Sequence, residues 1–172
     1  MRTLIWAIVC VLFVGTAAAQ DVEMADLSMS DGLVVVTSTG TPLTGNMVHR
    51  HGDGSMASSE GYVDGRRHGM EREWDPDGTL RLEAAWVEGR RHGAQKLFDH
   101  DGQMLLSAEW KEGVREGATV WYYPSGQVMW ETHFAAGAEH GKWSQFGPDG
   151  ELYIEAWYEN GEKVRRRNAR GG

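Results

Sequence analysis

The chain has 172 residues with 17 Lys+Arg against 25 Asp+Glu, a net charge of −8, and a single cysteine. That length fits one domain or two small ones. The acidic balance argues against nucleic-acid binding, which draws its affinity from cations neutralising phosphates. One cysteine excludes a disulfide framework or a Cys-rich metal site. The unusual figure is 23 glycines, well above the ordinary ~7%.

In chain order, the first element is a leader. Arg2 is followed by an apolar run over residues 3–15 and then Thr-Ala-Ala-Ala at 16–19. This is the layout of a secretory signal peptide cut after Ala19. The run is shorter than the ~20 residues of a membrane span. Cys10 lies within it behind Ile8-Val9, residues too bulky for a lipoprotein cut. The expected product is exported, periplasmic or secreted, and free of cysteine. Residues 20–40 read as a lead-in or cap.

From there the chain repeats every 24 residues. Glycines fall in three columns: Gly65, Gly89, Gly113, Gly137 and Gly161; Gly45, Gly69, Gly93, Gly117 and Gly141; Gly54, Gly78, Gly102, Gly126 and Gly150. Aromatic residues keep the same period: Trp74, Phe98, Tyr122 and Phe146 in one column, Tyr62, Trp86, Trp110, Phe134 and Tyr158 in another. Residues 41–64 form a degenerate first unit, with Arg50 in an aromatic column, and residues 65–161 form four fuller ones.

Within a unit, Leu80, Leu82, Ala84 and Trp86 alternate with Arg81, Glu83 and Ala85, the period of a pleated strand. Asp75-Pro76-Asp77-Gly78 predicts a three-residue hairpin loop that sets Trp74 opposite Leu80. A similar loop is expected at 87–90. The predicted fold is all-β: an elongated single-layer antiparallel meander of β-hairpins with about ten strands. Each hairpin is marginal alone and is stabilised by its neighbours.

The motif Gly-Arg-Arg-His-Gly at 65–69 and 89–93, followed by an aromatic, an Asp-Gly turn and an alternating strand, resembles a MORN repeat. The 24-residue spacing is similar to the MORN-variant repeat of bacterial YwqK-type antitoxin proteins. Glu116 and Glu139-His140 depart from the motif. The resemblance implies a non-catalytic protein-binding scaffold with no cofactor, under a family label of antitoxin or immunity function. A cell-wall or glycan-binding module is the alternative.

No residue set points to catalysis. His68, His92 and His140 recur at one repeat position; equivalent side chains of adjacent units lie ~9–10 Å from each other and cannot share a metal. Glu83, Glu131 and Glu155 read as a solvated acidic face. Five aromatics fall outside the repeat columns on odd positions: Trp121, Tyr123, Trp143, Tyr153 and Trp157. Alternation sends them to the reverse face, beside Glu71, Glu73 and Gln95, as a candidate interaction surface for a protein partner. The last segment, 162–172, carries Lys163, Arg165, Arg166, Arg167 and Arg170 against Glu162. It reads as a basic, disordered tail and the one candidate for membrane contact.

Overall fold

The computed structural model describes residues 20–168. The leader with Cys10, and Arg170 of the basic segment, lie outside the described residues. The strands in chain order are β1 (Gln20–Glu23), β2 (Leu27–Ser30), β3 (Leu33–Val36), β4 (Thr41–Pro42), β5 (Gly45–Arg50), β6 (Met56–Val63), β7 (Arg66–Trp74) and β8 (Leu80–Val87). There follow β9 (Arg90–Phe98), β10 (Met104–Lys111), β11 (Val114–Tyr122), β12 (Val128–Ala135), β13 (Ala138–Glu139), β14 (Gly141–Phe146), β15 (Leu152–Glu159) and β16 (Glu162–Asn168). A short 3-10 turn, Met24–Asp26, follows β1.

The predicted meander is present. One 13-stranded sheet runs β1-β5-β6-β7-β8-β9-β10-β11-β12-β14-β15-β16, with β13 on β12, and β2-β3-β4 form a second small sheet. Every neighbouring pair in the long sheet from β5 onward is antiparallel, and β1 adds to β5 in parallel. Sixteen strands are described where about ten were expected. The repeat hairpins do supply ten; β1 to β3 come from the lead-in, the two-residue β4 from the start of the degenerate first unit, β16 from the basic segment, and one repeat strand splits into β13 and β14. The split falls at His140, whose N–H reaches the His133 carbonyl at 2.8 Å.

Two turn types alternate. At the loop beginning at Asp75, the Asp75 N–H donates to Thr79 O (2.9 Å) and the Gly78 N–H to Asp75 O (2.8 Å), as the three-residue loop predicts. The connection at 87–90 differs from the expected copy of that loop. It has two residues, Glu88 and Gly89, with φ of 49° and 78°, and Val87 pairs with Arg90. Two consecutive positive φ values define the type I′ turn, whose twist matches that of paired strands. Asp31-Gly32, Asp64-Gly65, Glu112-Gly113, Ala136-Gly137 and Asn160-Gly161 share it.

The units are stitched by a periodic backbone bond. Gly89 N–H donates to Arg67 O (2.8 Å), Gly113 to Arg91 O (2.9 Å), Gly137 to Arg115 O (3.0 Å) and Gly161 to Glu139 O (2.8 Å). At the N-terminal end Gly65 donates to Leu43 O (2.8 Å), Leu43 donates to Val34 O (2.9 Å), and Val34 donates to Gly65 O (2.9 Å). The lead-in sheet therefore joins the array through the same bond that joins unit to unit.

The expectation of a disordered segment after 161 is corrected for residues 162–168, which form β16 at the sheet edge. Ala156 pairs with Arg166 and Trp157 with Arg165. On its outer side β16 is exposed throughout. Dense Lys and Arg on an edge strand discourage further strand addition.

Candidate binding face

Cross-strand partners share a face, so the register fixes which side chains stand together. The face carrying Leu82, Ala84 and Trp86 holds three rows that cross the strands. The outer row alternates aromatic and charged residues, cationic at every pair except Phe134–Glu139. Tyr62 pairs with Arg67, Trp86 with Arg91, Trp110 with Arg115, Phe134 with Glu139 and Tyr158 with Lys163. The guanidinium of Arg67 lies 4.8 Å from the Trp86 ring centre. Arg91 lies 5.4 Å from Trp86 and 5.3 Å from Trp110, and Arg115 lies 5.5 Å from Trp110 and 5.3 Å from Phe134. Arg91 and Arg115 are thus each stacked between rings of successive units. Such contacts contribute about 0.5–1 kcal/mol each at exposed sites.

The middle row is small or neutral and buried through its centre, with Glu60 and Glu71 at its N-terminal end and Trp143 and Arg166 at its C-terminal end. Ala84 is 1% exposed, Ala108 0%, and Thr119 0%. Among the described residues the main packing between elements is between neighbouring strands of each sheet, with a short contact between β5 and the 3-10 turn. The flanking rows therefore cover the middle one themselves. The third row is mostly apolar: Leu82 faces Leu97, Leu97 faces Leu106, Leu106 faces Trp121, and Trp121 stacks on Trp130 with ring centres 5.4 Å apart.

The rows are chemically coupled. Trp86 Nε1–H donates to Glu71 (2.7 Å) and Trp110 Nε1–H donates to Gln95 (2.9 Å). One repeat later the ring is Phe134, which has no N–H, and the acceptor position holds Thr119. Its hydroxyl has no protein partner among the described residues. In the next unit the position holds Trp143.

The charge balance of the outer row changes along the array. Arg67 reaches Glu60 at 2.6 Å and Glu71 at 3.5 Å, and Tyr62 O–H donates to Glu60 at 3.0 Å. Burial pushes the Glu60 carboxyl above its ordinary value, opposed chiefly by Arg67. Burial likewise raises the Tyr62 phenol. It works against the Arg67 charge, yet Tyr62, Glu60 and Glu71 outweigh it and hold that guanidinium above its usual value. Arg91 keeps only the Gln95 amide, at 3.0 Å. Neither Arg91 nor Arg115 has a carboxylate partner within ion-pair distance among the described residues. Two uncompensated cations thus stand on the face of an acidic protein.

The five aromatics do not form one reverse-face surface. Trp121 and Trp143 lie on the row-bearing face, Trp121 against Trp130 and Trp143 opposite Ala156. The cause is a register shift beside each three-residue loop, between Glu73 and Trp74 and again between Trp121 and Tyr122. One residue of slip exchanges the faces of the strand beyond it. Glu71, Glu73 and Gln95 move to the aromatic face for the same reason. Trp157 does lie on the reverse face, with Arg165 4.6 Å from its ring centre. Tyr123 sits in a turn and donates its O–H to Phe146 O (3.0 Å). The Tyr153 ring closes over Gly147, leaving no room there for a side chain.

The reverse face is a row of ion pairs more than a solvated acidic surface. Arg72 meets Glu83 at 2.9 Å, and Lys142 and Arg167 both meet Glu155 at 2.6 Å. Glu155 is only 5% exposed. Its hydrogen bond from Lys142, with the charge of Arg167, holds its carboxyl below the ordinary value against the opposing effect of burial. Glu131 faces Ser144 in the same row. His68, His92 and His140 stand exposed along the type I′ turns. Among the described residues no group of three His, Cys, Asp or Glu is placed to hold a metal ion.

The arginine column was overlooked in the sequence although its signal is present. A basic residue follows four of the five column aromatics by five positions, at 67, 91, 115 and 163, with Glu139 after Phe134. Fold and face define a β-hairpin repeat protein that offers a broad binding surface. Residues 115–135 match the family model of the MORN repeat variant, so the resemblance holds for the unit containing Arg115 and Phe134. No curated protein matches the chain. Among solved structures, a Staphylococcus aureus TarM variant in complex with fondaparinux, α-GlcNAc-glycerol and UDP is similar at TM-score 0.38 and 8% identity, over 69% of this chain and 20% of that one. A second TarM structure gives TM-score 0.37 and 11% identity, over 56% of this chain and 19% of that one. The chain thus spans about a fifth of the length of either TarM structure.

Proposed function

We propose that the protein is a non-catalytic scaffold that binds a protein partner through the aromatic–arginine row. The observation carrying this reading is the pair Arg91 and Arg115, each held between two rings and without a carboxylate partner among the described residues. The rings position each guanidinium; Arg91 gives one N–H to Gln95, and its other donors and those of Arg115 meet no carboxylate. A fixed fork of donors favours carboxylates, so the partner presents acidic side chains. On the same face Glu60 is held by Arg67 and Glu71 by Arg67 and Trp86, which supports a structural role for them over acid–base work.

The test is capture of partners from an envelope extract on immobilised full chain. Arg91→Ala/Arg115→Ala is compared with the reverse-face control Arg72→Ala/Lys96→Ala. The face variant is expected to lose an acidic partner that the control retains, with retention falling as salt rises. Equal retention by both variants rejects the row as the site, and retention of glycan alone favours the glycan-binding alternative. An immunity-type role is supported only where the captured partner is a toxin. Export is part of the same proposal, supported by Arg2, the apolar run over 3–15 and Thr-Ala-Ala-Ala at 16–19. Protein recovered from the medium or periplasm should begin at Gln20, and an uncut N-terminus there rejects the leader.

A further inference from the structure

The C-terminal end of the aromatic face breaks the repeat in a way that makes a cavity. In earlier units the second strand and its successor slip by two residues between the aromatic pair and the middle row: Trp110 faces Arg115, and Ala108 faces Thr119. Between β15 and β16 the slip is one residue, so Tyr158 faces Lys163 and Ala156 faces Arg166. This places Arg166, instead of Arg167, at the position that Glu71, Gln95, Thr119 and Trp143 occupy before it. Arg167 turns to the reverse face and Glu155.

A cavity of about 210 Å³ opens there, lined by Trp143, Ile154, Ala156, Tyr158, Lys163 and Arg166. It is smaller than the ~300–1,000 Å³ of drug-sized sites and suits one ring or one apolar side chain. Its floor is Ala156, 1% exposed, and its walls are an indole, a phenol ring and an isoleucine. Lys163 lies 5.5 Å from the Tyr158 ring centre. Neither Lys163 nor Arg166 has a carboxylate within ion-pair distance among the described residues. The lining offers hydrogen-bond donors in excess and carries no carboxylate or amide side chain to accept from sugar hydroxyls.

The geometry points to a binding site for an apolar carboxylate: a small apolar or aromatic group between Trp143 and Tyr158, with its carboxylate on Lys163 and Arg166. Two sources share this chemistry, a free aromatic acid and the carboxy terminus of a polypeptide ending in an apolar residue. The site takes in Tyr158 and Lys163 at the C-terminal end of the outer row but neither Arg91 nor Arg115, so Arg91→Ala/Arg115→Ala and Arg166→Gln test the two sites separately.

The test titrates the full chain with N-acetylphenylalanine while following the indole N–H signals by NMR, with Trp143 assigned through Trp143→Phe. The Trp143 signal is expected to shift, and N-acetylphenylalanine amide is expected to bind at least about tenfold more weakly, as loss of a charge-assisted contact implies. Arg166→Gln should weaken binding by about tenfold, whereas Arg165→Gln on the opposite face should not. Both substitutions fall on an exposed edge strand, and thermal unfolding checks that each variant keeps its fold. Ala156→Leu fills the floor and should abolish binding. Equal affinity for acid and amide, or equal weakening by Arg165→Gln and Arg166→Gln, overturns the site. A hexapeptide ending in phenylalanine that binds more tightly than phenylacetate assigns the site to chain termini; the reverse order assigns it to free acids.

Discussion

In the outer row each ring with an indole N–H stands over an acceptor: Trp86 over Glu71 and Trp110 over Gln95. Where the ring is Phe134, the acceptor is replaced by Thr119. Covering a buried carboxylate while removing its donor costs about 1–3 kcal/mol, whereas removing both partners together is close to neutral. Trp86→Phe is therefore expected to destabilise the chain by about 2 kcal/mol, since Glu71, 7% exposed, keeps only the long contact to Arg67. Glu71→Thr added to that variant reproduces the Phe134–Thr119 pair and should restore most of the loss. Urea unfolding of the two single variants and the double variant measures the coupling. Additive losses would show that Glu71 and Trp86 act independently. The pairing could be read from the sequence only in part. The aromatic column is plain at its 24-residue spacing, but Glu71, Gln95, Thr119 and Trp143 share no chemistry, so nothing in their types marks them as one column.

Strands were legible where their side chains alternate. Leu80 to Trp86 alternates, and β8 lies as expected. Arg66 to Trp74 mixes charges, a glycine and one methionine without alternation. Its facing had to be carried over from the turn, and the slip between Glu73 and Trp74 reversed it. That is why Trp121 and Trp143 came out on the wrong face. The basic segment was misread for a different reason. A run of arginines suggests a solvated tail, but Asn160-Gly161 is a type I′ turn by its φ angles of 52° and 85°, and a hairpin turn implies a returning strand. Gly161 was recognised as a column glycine without that implication being followed. β16 is held by Glu155, whose carboxyl lies below the ordinary value through Lys142 and Arg167. A carboxylate lowered on folding contributes stability that is full above its unfolded value and is lost as pH falls through its folded value. Hydrogen-exchange protection of β16 is expected to fall as the pH drops below the ordinary glutamate range. Arg167→Ala should lower that protection at neutral pH and flatten the pH response. An unchanged acid response in this variant would mean that the Glu155–Arg167 pair does not hold the strand.

Among the described residues packing is dominated by sheet neighbours, which makes the array close to one-dimensional, with stability summed from units and the contacts between them. The repeating element is then the 24-residue period rather than the strand. Removing residues 91–114 joins Arg90 to Arg115, deletes Trp110 and Gln95 together, and leaves the Trp86–Glu71 and Phe134–Thr119 pairs complete. Arg115 then takes the place of Arg91, between Trp86 and Phe134. The type I′ turn is kept as Glu88-Gly89, and the Gly137 N–H still finds the Arg115 carbonyl. The shortened chain is expected to fold with the same far-UV spectrum and a urea m-value lower by about one-sixth, in proportion to the surface lost. Removing residues 91–102 instead deletes a single strand with its loop. Every later strand then runs opposite to its required direction, the two turn types exchange roles, and the glycine columns fall out of phase. That chain should not fold cooperatively. If both deletions fold equally well, stability does not reside in the 24-residue period; if neither folds, the array is a single cooperative unit whose N-terminal cap and C-terminal strand depend on the full length between them.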